Sequence, residues 1–346
     1  MKTGLKIWVS LLMLFTSMAC AFVQNMIFPP TLDLEPGSST SIPVINPEPI
    51  TCTDDDCLQA CLSRLEDVLQ TRPFDSVENP IYEAQGAEFN LVIYKVDGDQ
   101  ITDPATLYVP SEYYKYQEDT DSHLRVWEFY VAMIPPALRA VVDEFVIFTD
   151  GSEGDLAAWV RPSATNDGFW QVGIDLLDSE YPPYLADTLV HETAHLLTLN
   201  TSQVPSEQDY YPYDEEQGKF LYCEQYAGGG ACSFPDSYMN LFYQKFWKGS
   251  YGEWWKLSQE AQDTKTFDEY LQVMEGFYDQ HSDWFINSYA ATNVEEDIAE
   301  SFAYFALQPK PSGTSIYEQK VAFFYDFPEL VKYRQQIIEG LCSYIR

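Results

Sequence analysis

Positive charge is scarce in this chain. Nineteen lysines and arginines stand against 54 aspartates and glutamates, a formal charge of −35 over 346 residues. Such a field repels phosphate backbones and anionic lipid surfaces, which argues against nucleic acid as a partner. A solubilising acidic surface accounts for the imbalance, and recruitment of cationic substrates is the competing account. Beyond the N-terminus no segment approaches ~18 uninterrupted apolar residues, so no transmembrane helix is expected in the mature chain. No internal repeat of solenoid length is present, which removes repeat architectures. Histidine is also scarce, with four residues at positions 123, 191, 195 and 281, so any metal chemistry based on imidazole has few places to be.

What the chain does have is apolar and aromatic mass: 46% hydrophobic residues and 16% aromatics, including 25 tyrosines and 21 phenylalanines. A disordered chain of this charge would be poor in both, so a folded body with a sizeable core is expected, by default one irregular α+β domain. The start, "MKTGLKIWVSLLMLFTSMACAF", sets Lys2 and Lys6 before an apolar run and then small residues, the layout of an export signal. Ala19-x-Ala21 fits ordinary cleavage, whereas the residues ahead of Cys20 resemble a bacterial lipobox without its usual leucine, so secretion and lipid anchoring through Cys20 both stay open. Residues 22–50 are Pro- and Ser-rich and aperiodic, as a tether would be. Apart from Cys20, six cysteines remain at positions 52, 57, 61, 223, 232 and 342. In an exported chain an even number predicts three disulfides, with Cys223 and Cys232 closing a local loop and Cys342 stapling back to the 52–61 segment. A thiolate zinc cluster is disfavoured, because paired Cys-x-x-Cys knuckles are lacking.

Periodicity predicts a short helix after Asp54–Asp56 and a strand in "EFNLVIYKV", which turns at Asp97-Gly98. "HLRVWEFYVAMIPPALRAVVDEF" reads as a helix broken at Pro135-Pro136, and "VIFTDG" and "FWQVGIDLL" read as strands. The helix "YLADTLVHETAHLLTLN" follows, and most of the chain beyond Asp236 is expected to be helical.

Within that helix His191 and His195 are four residues apart, one turn on one face, so their imidazoles can converge on one ion. Zinc favours such ligands, and Glu192 beside the first can take a proton from a water attacking a carbonyl. With four histidines in the chain, chance yields about 0.004 occurrences of His-Glu-x-x-His. Two histidines do not complete a site. Position 201, where metzincins carry a third histidine, is Thr201, and Thr198 stands where their glycine would be. His123 and His281 lack supporting neighbours and read as packing or surface residues. A carboxylate can serve instead. In "NVEEDIAESFAYF", Glu296 and Glu300 lie one turn apart while Asp297 points elsewhere, and Ile298, Ala299, Phe302 and Phe305 half bury the helix. One acid could bind zinc while the other accepts the N–H of a ligand histidine.

These motifs resemble the gluzincin metallopeptidases, in which an HExxH helix is joined by a glutamate on a downstream helix with a second acid four residues on. "SYAATNVEEDIAESFAYF" is similar to the corresponding segment of the anthrax lethal-factor-like peptidases. The resemblance spans roughly residues 120–310, strong at the two motifs and vague between them. It implies a zincin-like α+β fold with a small mixed sheet, an active-site helix and a mostly helical C-terminal half. It implies Glu296 as the third ligand, Glu300 as the acid behind a ligand histidine, and Tyr289 as oxyanion stabiliser or proton donor. It further implies a substrate lying along a sheet edge, for which "FWQVGIDLL" is the expected strand. The interval from His195 to Glu296 is longer than in that group, and lethal factor's further domains have no counterpart, so no substrate carries over. Residues 204–234, with a Tyr cluster and the expected disulfide loop, are either a lid or pocket wall or an ordinary stapled excursion. The sequon Asn200-Thr201-Ser202 sits too close to the motif helix to suit attachment.

The expectation is therefore a signal at 1–21, a tether at 22–50, a Cys-containing segment with the first strand at 51–120, and a zincin-like catalytic domain at 121–346. One Zn2+ would be held by His191, His195 and Glu296, with Glu192 as general base, in an exported, monomeric peptidase acting on peptides or proteins. A non-catalytic zinc-stabilised surface module and a zinc amidase acting on wall peptides are the alternatives.

Overall fold

The computed structural model describes residues 88–151, 156–180, 182–206, 211–228, 231–264 and 266–344. The expected export signal and tether, Cys52–Cys61 and the helix expected after Asp54–Asp56 lie outside the described residues. The architecture is mixed α+β, with a small sheet followed by a mostly helical remainder.

Strand β1 (Phe89–Asp97) turns at Gly98, whose φ of 62° is left-handed, into β2 (Gln100–Thr106). Helix α1 (Thr120–Met133) begins where the Asp119 side chain accepts from Ser122 N. It ends because Ile134 precedes Pro135 and is held extended, and Pro136 then opens the short α2 (Pro136–Arg139). Strands β3 (Val142–Thr149), β4 (Ala158–Pro162) and β5 (Trp170–Asp175) complete a five-stranded sheet of order β2-β1-β3-β5-β4. Among the described strands of this sheet only β3 and β5 run parallel, and the other pairings are antiparallel.

The strand ahead of the motif helix, β5, does not form the expected edge: it lies between β3 and β4, and among the described residues the outer strands are β4 and β2. The reason is the β4–β5 hairpin, which places the earlier strand outside the later one. Across three strands Val146, Gly173 and Trp159 pair in one row, and a Cβ at Gly173 would stand 2.2 Å from the Trp159 ring. Glycine there is what lets the indole lie flat over β5.

Helix α3 (Pro182–Leu199) follows β5, and a small hairpin, β6 (Tyr213–Asp214) with β7 (Lys219–Phe220), follows α3. The helical part comprises α4 (Tyr238–Phe242) running into a π turn to Trp247, α5 (Tyr251–Thr264) and α6 (Phe267–Gln280). It continues through α7 (Val294–Leu307), α8 (Ile316–Phe323) and α9 (Pro328–Tyr344). Capping boxes at Thr266/Glu269 and Ser315/Glu318 fix the starts of α6 and α8. One core joins the inner face of the sheet to α1, α3 and α7, and a smaller cluster of Val146, Phe148 and Trp159 covers the other face. Among the described residues, no helix is long and apolar enough to cross a membrane.

The candidate metal centre

Helix α3 is buried almost all round: Leu189, Val190, Ala194 and Leu196 pack into the core beside the polar residues of the motif. The hydroxyls of Thr193 and Thr198 turn back onto the carbonyls of Leu189 and Ala194, at 2.7 and 2.8 Å, so neither leaves an unpaired group inside. Asn200 closes the helix. Its amide donates to Leu196 O and Leu197 O at 2.8 and 3.0 Å while its oxygen accepts from Ser202. The sequon nitrogen is thereby spent on the end of the helix.

Helix α7 lies against α3. Its N-cap Asn293 accepts from Glu296 N at 2.8 Å, which sets the rotation of the first turn. Four acids in this helix go four ways, and none heads a solvated face. Glu296 Oε2 comes to 3.0 Å from His191 Nε2 and 3.3 Å from His195 Nε2, and the two Nε2 atoms are 3.1 Å apart. Glu300 Oε1 stands 2.8 Å from His191 Nδ1. Asp297 pairs with Lys320 of α8 at 2.5 Å and accepts from the Trp247 indole at 2.6 Å. Glu295 accepts from the Tyr226 hydroxyl at 2.9 Å.

His191, His195 and Glu296 thus form one buried group with ligand atoms turned toward each other. Because Glu300 is an acceptor, His191 Nδ1 donates to it, and Nε2 of the neutral ring presents its lone pair to the Glu296 carboxylate. Acceptors converging in this way require a cation between them, a proton or a metal ion. Burial alone would push the His191 pKa down, yet its hydrogen bonds with Glu296 and Glu300 carry it well above the ordinary value. Burial likewise works against the Glu296 carboxylate, but the two histidines bring it down to about 2.

Glu192, between the two histidines in sequence, is 1% exposed. Tyr289 lies in the turn before α7 with its ring centroid 5.9 Å from that of His191. The structure brings His191, His195, Glu296 and Glu300 together, with the Tyr289 ring beside His191, and Glu192 is buried on the same helix as the two histidines. The other two histidines have ordinary roles. His123 is buried, accepting from Tyr94 and donating to Tyr116 O, both at 2.8 Å, and His281 stacks on Trp284 with centroids 4.2 Å apart.

The sequence reading missed the residues that hold these groups in place. Asn287 donates to Glu300 Oε2 at 2.7 Å and accepts from Ala290 N, so it ties the Tyr289 turn to the acid behind His191. Tyr226 and Lys320 take up the acids flanking Glu296. Proximity of Asn287 to Tyr289 was the one local hint; the others are remote in sequence. Residues 204–234 are not an independent excursion. Tyr213, Phe220 and Tyr226 enter the main core, and the expected Cys223–Cys232 disulfide is present. Cys342 is disulfide-bonded as well, although the 52–61 segment expected to pair with it is outside the described residues.

Comparison of the chain with protein-family models, with curated proteins and with solved structures found no match.

Proposed function

We propose that this protein is an exported zinc metallopeptidase of the gluzincin kind, with a zincin-like fold. The observation that carries the reading is the triangle of His191 Nε2, His195 Nε2 and Glu296 Oε2, with sides of 3.0, 3.1 and 3.3 Å. Ligands at about 2.0–2.1 Å in a tetrahedral shell stand roughly 3.3–3.4 Å apart. The donor set fits zinc in kind, two imidazoles and a carboxylate, as well as in spacing.

Bound there, zinc would supply Lewis-acid polarisation of a substrate carbonyl and would lower the pKa of water. Glu192 takes the proton of the attacking water and passes it toward the departing amine. Tyr289 donates to the oxyanion that develops on the carbonyl. Glu300 holds His191 in the tautomer whose Nε2 faces the ion. Among the described residues the outer edge of β4 pairs with no further strand, and β4 packs against α3, so an extended peptide has a strand to pair with there. The N-terminal signal and the disulfide at 223–232 support an extracytoplasmic location.

The test is metal analysis of the purified protein together with digestion of a peptide library, with and without chelator. One equivalent of zinc and chelator-sensitive cleavage are expected. Zinc without turnover on peptides or wall fragments would make the protein a binding module instead, and cleavage that survives metal removal would sink the assignment.

A further inference from the structure

We infer that Tyr226 is a positioning residue for the metal ligand Glu296, and that the Cys223–Cys232 disulfide holds it in that role. The inference rests on the metal reading above, with which it shares the ligand set. The first turn of α7 carries Glu295, Glu296 and Asp297 in succession. Neighbouring residues of one helical turn share a rigid backbone, so whatever holds Glu295 and Asp297 also fixes where the Glu296 carboxylate can reach. Asp297 is fixed by Lys320 and Trp247. Glu295 is fixed from the opposite side by the Tyr226 hydroxyl, at 2.9 Å.

Tyr226 is itself tightly held. Its N–H donates to Asn240 Oδ1 at 3.2 Å, and its carbonyl accepts from both N and Oγ of Ser233, at 2.9 and 2.7 Å. The ring lies among Tyr243, Phe220 and Tyr251, with centroids 4.9, 5.7 and 6.0 Å away. Ser233 directly follows Cys232, and Tyr226 lies three residues after Cys223, so the disulfide closes the loop across the Ser233–Tyr226 pair. Gly228 passes directly over the Tyr226–Glu295 hydrogen bond. A Cβ there would be 2.0 Å from the Tyr226 oxygen and 2.6 Å from Glu295 Oε1. The loop is shaped around this one hydrogen bond, and the bond is made to the residue next to the ligand. Loss of the hydroxyl would leave a half-buried carboxylate without that donor, and the turn would shift to seek another.

Four full-length proteins test this: wild type, Tyr226→Phe, Cys223→Ala/Cys232→Ala, and the triple variant. Zinc affinity is measured by competition with a chromophoric chelator, and ligand geometry by the visible spectrum after Co2+ loading. Tyr226→Phe is expected to weaken zinc binding by about threefold to tenfold, below the 10–100-fold typical of groups bonded to the ligands themselves, and to shift the Co2+ bands. The triple variant should bind zinc no more weakly than the disulfide variant. Wild-type affinity and spectrum in Tyr226→Phe would overturn the positioning role, and this variant decides the matter even if loss of the disulfide unfolds the chain. Losses that simply add in the triple variant would separate the disulfide from Tyr226. A wild-type protein that takes up no zinc removes the metal reading and this inference together.

Discussion

Glu300 Oε1 sits 2.8 Å from His191 Nδ1, on the side of the ring opposite Glu296. A carboxylate there can only accept, so it fixes one tautomer and makes the imidazole a stronger ligand. Glu300→Ala should therefore weaken zinc binding by about 10–100-fold while the helical content stays unchanged. Chelator competition alongside circular dichroism measures both, and unaltered affinity would show that His191 needs no such support.

Glu192 is assigned the proton transfer rather than a place in the ligand set. Glu192→Gln should keep a full equivalent of zinc and lose at least about 100-fold in kcat/KM. Full activity in a metal-replete Glu192→Gln protein would defeat the mechanism.

Both helices that meet at this centre could be read in advance, because a spacing of four in His191/His195 and in Glu296/Glu300 encodes a shared face without any knowledge of the fold. The edge strand could not. β4, "AWVRP", is five residues long with Arg161 and Pro162 at its end, and it reads as a continuation of the polar loop. β2 was missed for a similar reason, since Asp103 and Pro104 interrupt its alternation. "FWQVGIDLL" was placed at the edge although it is apolar apart from Gln171 and Asp175, closer to the pattern of a strand flanked on both sides. Tyr226, Asn287 and Lys320 have roles that depend on tertiary contact, and no periodicity in one sequence reports those.

Lys320 is buried against Asp297, with its ammonium 4.0 Å from the Phe285 ring centroid. Burial raises the Asp297 pKa to about 6 even with the cation beside it, so the aspartate depends on that partner. Lys320→Met should cost about 3–5 kcal/mol of stability, because it strands a buried carboxylate. Lys320→Met combined with Asp297→Asn should recover part of that loss. Urea unfolding of the two proteins provides the comparison, and equal stability of Lys320→Met and wild type would refute it.

Asp175 is fully buried at the end of β5, where Oδ2 accepts from Asp150 N at 2.8 Å. Burial, with Asp178 nearby, pushes its pKa from 3.8 to about 8. A carboxyl whose pKa is higher folded than unfolded binds its proton more tightly in the folded chain. Stability should accordingly fall as pH rises from about 4 through about 8. Asp175→Asn, which mimics the protonated group, should flatten that part of the profile. Thermal midpoints across the range measure it, and an identical slope in the variant would assign the dependence to other groups.

The shortness of β4 sets a ruler for whatever lies along it. In an antiparallel pairing only alternate residues turn both N–H and C=O outward, so of the five residues Ala158–Pro162 roughly two or three can engage an incoming chain. Pro162 has no N–H to offer at the far end. Main-chain pairing would then register a short span on one side of the reacting bond and leave discrimination between sequences to side chains beyond it. Peptides shorter than that span would slide, and lengthening them past it would add little to the grip.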